Sequence, residues 1–332
     1  MKKFGFLLMA LLLAFVVAAC GAEESSSESV EETTDAEVET AGEEEVSSEP
    51  VAEEDVIITH ELGEIKVPKN PENVVVFDFG VLDSLDKLGV EVAGVPQAGV
   101  IPSYLSKYAE STYENIGSLK EPDFEKISEI NPGLIIITAR QSEAYEELSK
   151  IAPTLYMNVD TADYMNSFTA NMETLGEIFG KEAEVETELA AINETIEALQ
   201  EKAAASGEKG LIVLVNDGSV SAYGSNSRYG IIHDVFGVQA ADENIEVSTH
   251  GQNVSFEYIS EMNPDLLFVI DRGAAIGGES SAATVLDNEL VNKTNAAQND
   301  KIIYLDAEFW YLSGGGLVSV VEMVNQIDGV IE

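Results

Sequence analysis

Residues 124–140 read FEKISEINPGLIIITAR, and residues 256–272 read FEYISEMNPDLLFVIDR. Nine of the seventeen positions are identical at a displacement of 132 residues, and both copies end on arginine. Asn-Pro cannot comfortably continue a helix, because the residue before proline is pushed towards extended backbone. The first copy therefore predicts a helix over Phe124–Ile130, a turn at Asn131-Pro132-Gly133 and a strand over Leu134–Thr138. The second copy predicts the same unit again. A chain that spells one helix–turn–strand unit twice is built as two lobes of like design, with Arg140 and Arg272 in equivalent places.

The surrounding sequence extends each unit. VVVFDF (Val74–Phe79) reads as a buried strand, VLDSLDKLG as a helix stopped at Gly89, and EVAGV as a second strand. With TLYMN this makes about a hundred residues of alternating helix and strand, which favours a parallel sheet. From about Ala162 to Ala205 there is no strand signal, and apolar residues recur at helical spacing with a possible break at Gly180. After Gly207 the alternation resumes with LIVLVN, a helix near Ile231–Phe236, the second copy, IIYLD, and a terminal helix from about Gly315. The expected organisation is an α/β lobe over residues 55–160, a connecting helical segment over 161–205 and a second α/β lobe over 206–332.

The first 54 residues are of another kind. Lys2 and Lys3 precede an apolar run from Phe6 to Ala19, which is too short to span a bilayer and suits the core of a signal peptide over residues 1–19. Val17-Ala18-Ala19-Cys20 resembles a bacterial lipobox, which implies cleavage before Cys20 and lipid on that cysteine. Between Gly21 and Asp55 there are fifteen acidic residues and no basic ones. Such a segment buries too little apolar surface to fold, so residues 20–54 read as a lipidated cysteine followed by an extended acidic tether. Cys20 is the only cysteine in the chain, so the body has no disulfide or thiolate metal site. An exported protein anchored on the outer face of the cell membrane is expected.

The 332-residue chain carries 61 acidic and 17 basic residues, a formal net charge of −44, which excludes nucleic-acid binding. Against that background, arginine occurs three times, as Arg140, Arg228 and Arg272. Two of these follow directly on predicted strands, where open α/β sheets place their ligand loops. The third lies in the Gly/Ser/Asn loop YGSNSRYG. A guanidinium is a rigid, permanently charged fork suited to anionic oxygens. Three of them converging would form an anion pocket; the alternative is three ordinary surface ion pairs.

Together the lipobox, the two FE.IS..NP phrases, SRYGIIHDVFG, STHGQNVSFEYI and WYLSGGG resemble the siderophore-binding lipoproteins of ABC iron importers. The match is to the petrobactin and catecholate branch of the iron/B12 solute-binding superfamily, and it covers the chain from about residue 56 onwards. The resemblance implies a class III solute-binding protein, with two Rossmann-like α/β lobes joined by a long helical backbone. It implies that Arg140, Arg228 and Arg272 surround an anionic ferric catecholate in the inter-lobe cleft. It further implies that His250 and Tyr311 complete the iron shell when the siderophore is only tetradentate. Glu125 and Glu257, one per lobe, would dock on the ABC permease; the plainer reading is that each opens a helix. No intrinsic cofactor is implied, Fe(III) arrives as a siderophore complex, and the protein would act as a monomer, with a Gram-positive host favoured by the long tether.

Other functions fit less well. No nucleophile elbow, P-loop, zinc-protease motif or dinucleotide fingerprint is present, and three scattered histidines make no acid–base constellation, so an enzyme acting on the siderophore is the weaker alternative. A receptor for a bare divalent metal would need a compact ligand cluster, whereas His60, His233 and His250 stand in different contexts, and His60 and His233 read as structural. Haem or cobalamin receptors of the same superfamily are the closer rivals. Three arginines favour a ligand of high negative charge.

Overall fold

The computed structural model describes residues 55–278 and 282–332, so the signal peptide, Cys20 and the acidic tether lie outside the described residues. The described residues belong to one compact unit. It opens on an antiparallel hairpin of β1 (Val56–His60) and β2 (Gly63–Val67), which the periodicity reading does not include. None of the helices in the described residues is long and apolar enough to cross a membrane.

The first sheet contains β3 (Val75–Val76), β4 (Gly94–Val95), β5 (Glu114–Asn115), β6 (Ile135–Ile137) and β7 (Thr154–Tyr156). Its order is β5-β4-β3-β6-β7 and every pairing is parallel. The chain runs outwards from β3 to β5, then returns to the other side of β3 with β6. That reversal makes a switch point between β3 and β6, where open α/β sheets leave a crevice at the carboxyl ends of the strands.

The strand expected over Val74–Phe79 is cut short by Asp78. Its side chain accepts from the N–H groups of Gly80 (2.9 Å) and Val81 (3.1 Å) and so caps the helix Phe79–Lys87.

The second sheet contains β8 (Lys209–Asn216), β9 (Ser219–Tyr223), β10 (Gln239–Ala240), β11 (Gln252–Val254), β12 (Leu266–Asp271) and β13 (Ile302–Leu305). Its order is β11-β9-β8-β12-β13, with β10 also paired to β8. The strands β8, β12 and β13 are parallel, whereas β9 and β11 run antiparallel. A tight turn through Asp217 (φ 48°) and Gly218 (φ 81°) makes the β8–β9 hairpin, as a two-residue Asp-Gly connection favours.

The repeated phrase folds the same way twice. The helix Phe124–Ile130 is capped by Asp123, and Phe256–Met262 by Ser255. Both close on a left-handed asparagine, Asn131 (φ 51°) and Asn263 (φ 42°). Asparagine tolerates that conformation and proline then forbids another helical turn, which is the physical content of the duplicated Asn-Pro. The strands that follow are β6 and β12. In each sheet the repeat strand lies between a parallel neighbour that precedes it in the chain (β3 or β8) and one that follows (β7 or β13).

The predicted connecting segment is two helices, Tyr164–Phe179 and Glu182–Ser206, separated where Gly180 takes a left-handed conformation (φ 60°). The terminal helix Leu317–Asp328 follows the second sheet in sequence but packs against Phe79–Lys87 of the first lobe and against Glu182–Ser206. Its start is held by the fully buried Asp83, which accepts from the N–H groups of Val318 (3.2 Å) and Ser319 (3.1 Å). Ser84 Oγ accepts from Leu317 N at 3.0 Å. The segment between β13 and this helix, including Trp310 and Tyr311, therefore passes from the second lobe to the first.

Candidate functional site

The carboxyl ends of the two sheets face a cleft of about 1040 Å³, lined from both lobes. At the switch point of the first sheet, β3 leads, two residues on, into Asp78, and β6 leads, three residues on, into Arg140. In the second sheet, the parallel neighbours β8 and β12 lead into Asn216 and Arg272. Arg228 comes from the loop between β9 and the short helix Ile231–Asp234. All three arginines line the cleft, as do Tyr311 and His250.

The arginines meet on Tyr311. Arg140 Nη2 and Arg228 Nη2 both donate to its carbonyl oxygen, at 2.9 and 3.0 Å. Arg272 Nε donates to its hydroxyl at 2.9 Å, while Arg272 Nη1 donates to Asn216 Oδ1 at 2.8 Å. The Arg228 guanidinium also lies over the Tyr311 ring, 4.4 Å from its centroid. Tyr311 stands in a short π-helical turn, Glu308–Ser313, a geometry that recurs at functional sites. Burial acts to raise the Tyr311 phenol. The hydrogen bond from Arg272 and the charges of Arg228 and Arg272 outweigh it, so its pKa lies below the ordinary tyrosine value.

One carboxylate is buried beside the first of these cations. Asp78 is 8% exposed; its Oδ2 accepts from Thr138 Oγ1 at 3.2 Å and lies 3.5 Å from Arg140 Nη1. Burial pushes the Asp78 carboxyl up, while Arg140, the helix N–H groups and Thr138 act in the opposite direction. The two N–H groups and the guanidinium can only donate, which favours the ionised form.

His250 is exposed on a loop, where its backbone N–H donates to Ser248 Oγ at 3.3 Å. His60 and His233 do not line the cleft. His60 Nδ1 accepts from Leu62 N, and His233 Nδ1 lies 2.8 Å from the carbonyl of Val238; burial lowers both pKa values. Glu125 and Glu257 are exposed in the first turns of the repeated helices and lie outside the cleft lining. Among the described residues, no cluster of three or more His, Cys, Asp or Glu is arranged to hold a bare metal ion.

Several cleft residues escape the sequence reading. Asp78 and Asn216 each end a buried apolar strand on a polar side chain, a signal that was available in VVVFD and LIVLVN. Lys120 adds a further basic side chain to the lining. Tyr164 and Tyr229 also line the cleft, and their hydroxyls are buried without a hydrogen-bond partner. Nothing in periodicity marks them.

Comparison with known proteins agrees with this architecture. The periplasmic binding protein family model matches residues 74–309. The petrobactin-binding protein YclQ of Bacillus subtilis (strain 168) is 50% identical over 336 residues, covering 100% of both chains. The crystal structure of YclQ superposes with a TM-score of 0.82 at 55% identity, covering 84% of this chain and 99% of that one. The periplasmic catecholate-siderophore binding protein VctP from Vibrio cholerae superposes with a TM-score of 0.79 at 34% identity, covering 83% and 100%. These relatives are binding proteins by name. With two α/β lobes, a shared cleft and a family match across most of its length, the chain belongs to the periplasmic binding protein family and has the fold of a class III solute-binding protein.

Proposed function

We propose that this protein captures a ferric catecholate siderophore, petrobactin-like in chemistry, in the inter-lobe cleft and delivers it to an ABC permease. The observation that carries the reading is the meeting of all three of the chain's arginines on Tyr311 inside that cleft. Two of them rest on a backbone carbonyl, a neutral acceptor. An anionic catecholate oxygen is a stronger acceptor, and each charge-assisted bond contributes roughly 1.5–3 kcal/mol.

The acidic exterior does not oppose this. Exposed charges more than about 8 Å away are largely screened at physiological salt. Trp310, Met157 and Leu312 add apolar lining for the catechol rings. With a tetradentate siderophore, His250 and Tyr311 would fill the two remaining iron positions, imidazole and phenolate both being suitable ferric ligands. A hexadentate siderophore would leave them as lining. Glu125 and Glu257, exposed on equivalent helices of the two lobes, would offer a matched pair of carboxylates to a two-fold permease. Lipid on Cys20 would hold the protein at the outer face of the membrane.

The test is a titration of the purified protein with ferric catecholates, ferric hydroxamates, haem and cobalamin, followed by tryptophan fluorescence and calorimetry. Trp310 is the single tryptophan and lines the cleft, so a ferric catecholate should quench it with sub-micromolar affinity. Flat fluorescence with no heat of binding would sink the reading. Tighter binding of haem or cobalamin would replace it with that ligand.

A further inference from the structure

We infer that the carboxylate of Asp78 is a built-in counter-charge that sets which ligand charge the cleft prefers; the inference rests on the siderophore reading above. It follows from a comparison the molecule makes with itself. In the first lobe, Arg140 follows the repeat strand β6 and is partnered by Asp78, two residues beyond β3. In the second lobe, Arg272 follows the repeat strand β12 and is partnered by the last residue of β8. In both sheets, then, the arginine after the repeat strand is held by a side chain from the end of the parallel strand before it, although Asp78 sits two residues earlier in the register than Asn216. One partner is an acid, Asp78, at 3.5 Å; the other is a neutral amide, Asn216, at 2.8 Å.

The second lobe thus demonstrates that a neutral oxygen suffices to orient the arginine. Helix capping does not require the charge either, since asparagine and serine cap as well as aspartate. Accepting from Thr138 Oγ1 needs only an oxygen lone pair. Taken singly, the cap and the Thr138 contact each ask for an oxygen rather than a charge, and burying a carboxylate is costly. What neutral side chains cannot supply is the negative field inside the cleft.

Two other carboxylates line the cleft, Glu61 and Asp160, but both are exposed, and water and salt screen them. Asp78 is buried, beside the cation it opposes, so its field reaches the ligand position less weakened. It offsets one of the three guanidinium charges. The cleft should therefore discriminate less steeply in favour of highly charged anions than three unopposed arginines would, and so accept ferric complexes of lower charge.

The experiment compares the wild-type protein with Asp78→Asn, a neutral side chain of the same shape, and with Asp78→Ser, a second neutral helix cap. Two probes are titrated at low and high salt: a trianionic iron(III) tris-catecholate and a monoanionic iron(III) bis-catecholate. Both variants should raise the ratio of the two affinities, trianionic over monoanionic, by about tenfold at low salt, and high salt should shrink that gain. A merely structural role would lower both affinities together and leave the ratio unchanged, and that result overturns the inference. Unchanged affinities for both probes also overturn it. A wild-type protein that binds neither probe overturns the siderophore reading, and this inference with it.

Discussion

Arg140 and Arg228, from opposite lobes, donate to one and the same atom, the carbonyl oxygen of Tyr311, at 2.9 and 3.0 Å. Two like charges are brought together because a single acceptor on the inter-lobe segment serves both. That segment is anchored to the first lobe through Asp83 and Ser84, so Tyr311 keeps its place beside Arg140 while receiving Arg228 and Arg272 from the second lobe. The convergence is a property of the assembled lobes.

Replacing Arg272 should be costly for binding and mild for folding. Its Nε and Nη1 contacts are to Tyr311 and Asn216, outside the apolar core. Arg272→Ala should weaken ferric catecholate binding by at least about tenfold, the loss expected from one charge-assisted hydrogen bond of roughly 1.5–3 kcal/mol. Calorimetry reads the affinity and thermal melting reads the fold. Unchanged affinity would remove Arg272 from the site.

Tyr311 should ionise before the other cleft tyrosines. Arg272 and Arg228 hold its pKa below the usual phenol value against the opposing effect of burial, whereas burial raises Tyr164 and Tyr229. In an ultraviolet titration the earliest phenolate signal should disappear in Tyr311→Phe and move to higher pH in Arg272→Ala. Because the folded pKa is depressed, this group adds stability at pH above its unfolded pKa, and that contribution is lost as pH falls through the folded one. Identical titration curves for wild type and Tyr311→Phe would contradict the assignment.

Asp83 has the reverse sign. Burial pushes its carboxyl from 3.8 up to about 7, with Ser319, Val318 and Tyr104 acting in the opposite direction. A raised carboxyl contributes stability that is full below the unfolded pKa and lost as pH rises through about 7. The melting temperature should therefore fall between about pH 4 and pH 7, and Asp83→Asn should flatten that slope. A slope that survives the substitution would assign it to other groups.

Gly316 should not accept a side chain. A Cβ there would lie 2.0 Å from Asp83 Oδ1 and 2.1 Å from the Gly80 carbonyl, where the terminal helix starts against the first lobe. Gly316→Ala should cost roughly 1–3 kcal/mol in denaturant unfolding, the usual range for overpacking. It should also weaken ligand binding, because Tyr311 shares the displaced segment. Wild-type stability would show that the contact yields easily.

The duplicated phrase made the two lobes legible, because helix, Asn-Pro turn and strand are local instructions that each copy carries complete. The alternation around it marked both sheets, and Gly180 marked the break between the connecting helices. Less was legible where a polar side chain had to choose between continuing a strand and capping a helix. VVVFDF reads as one strand by hydrophobicity, yet Asp78 ends it by taking the N–H groups of Gly80 and Val81. The hairpin of β1 and β2 is likewise hard to read, since its strands, Val56–His60 and Gly63–Val67, show only a weak apolar alternation.

The chain's own order of residues determined two α/β lobes, a helical connection and three scarce arginines, two of them just beyond strands and one in a Gly/Ser/Asn loop, because period, turn chemistry and composition act over short distances. Tertiary structure alone decided that Arg140, Arg228 and Arg272 would share Tyr311, that Asp78 would lie buried beside Arg140, and that the terminal helix would return to the first lobe. Those outcomes depend on groups far apart in sequence meeting at a few ångströms, and such meetings are set by how the sheets and helices pack.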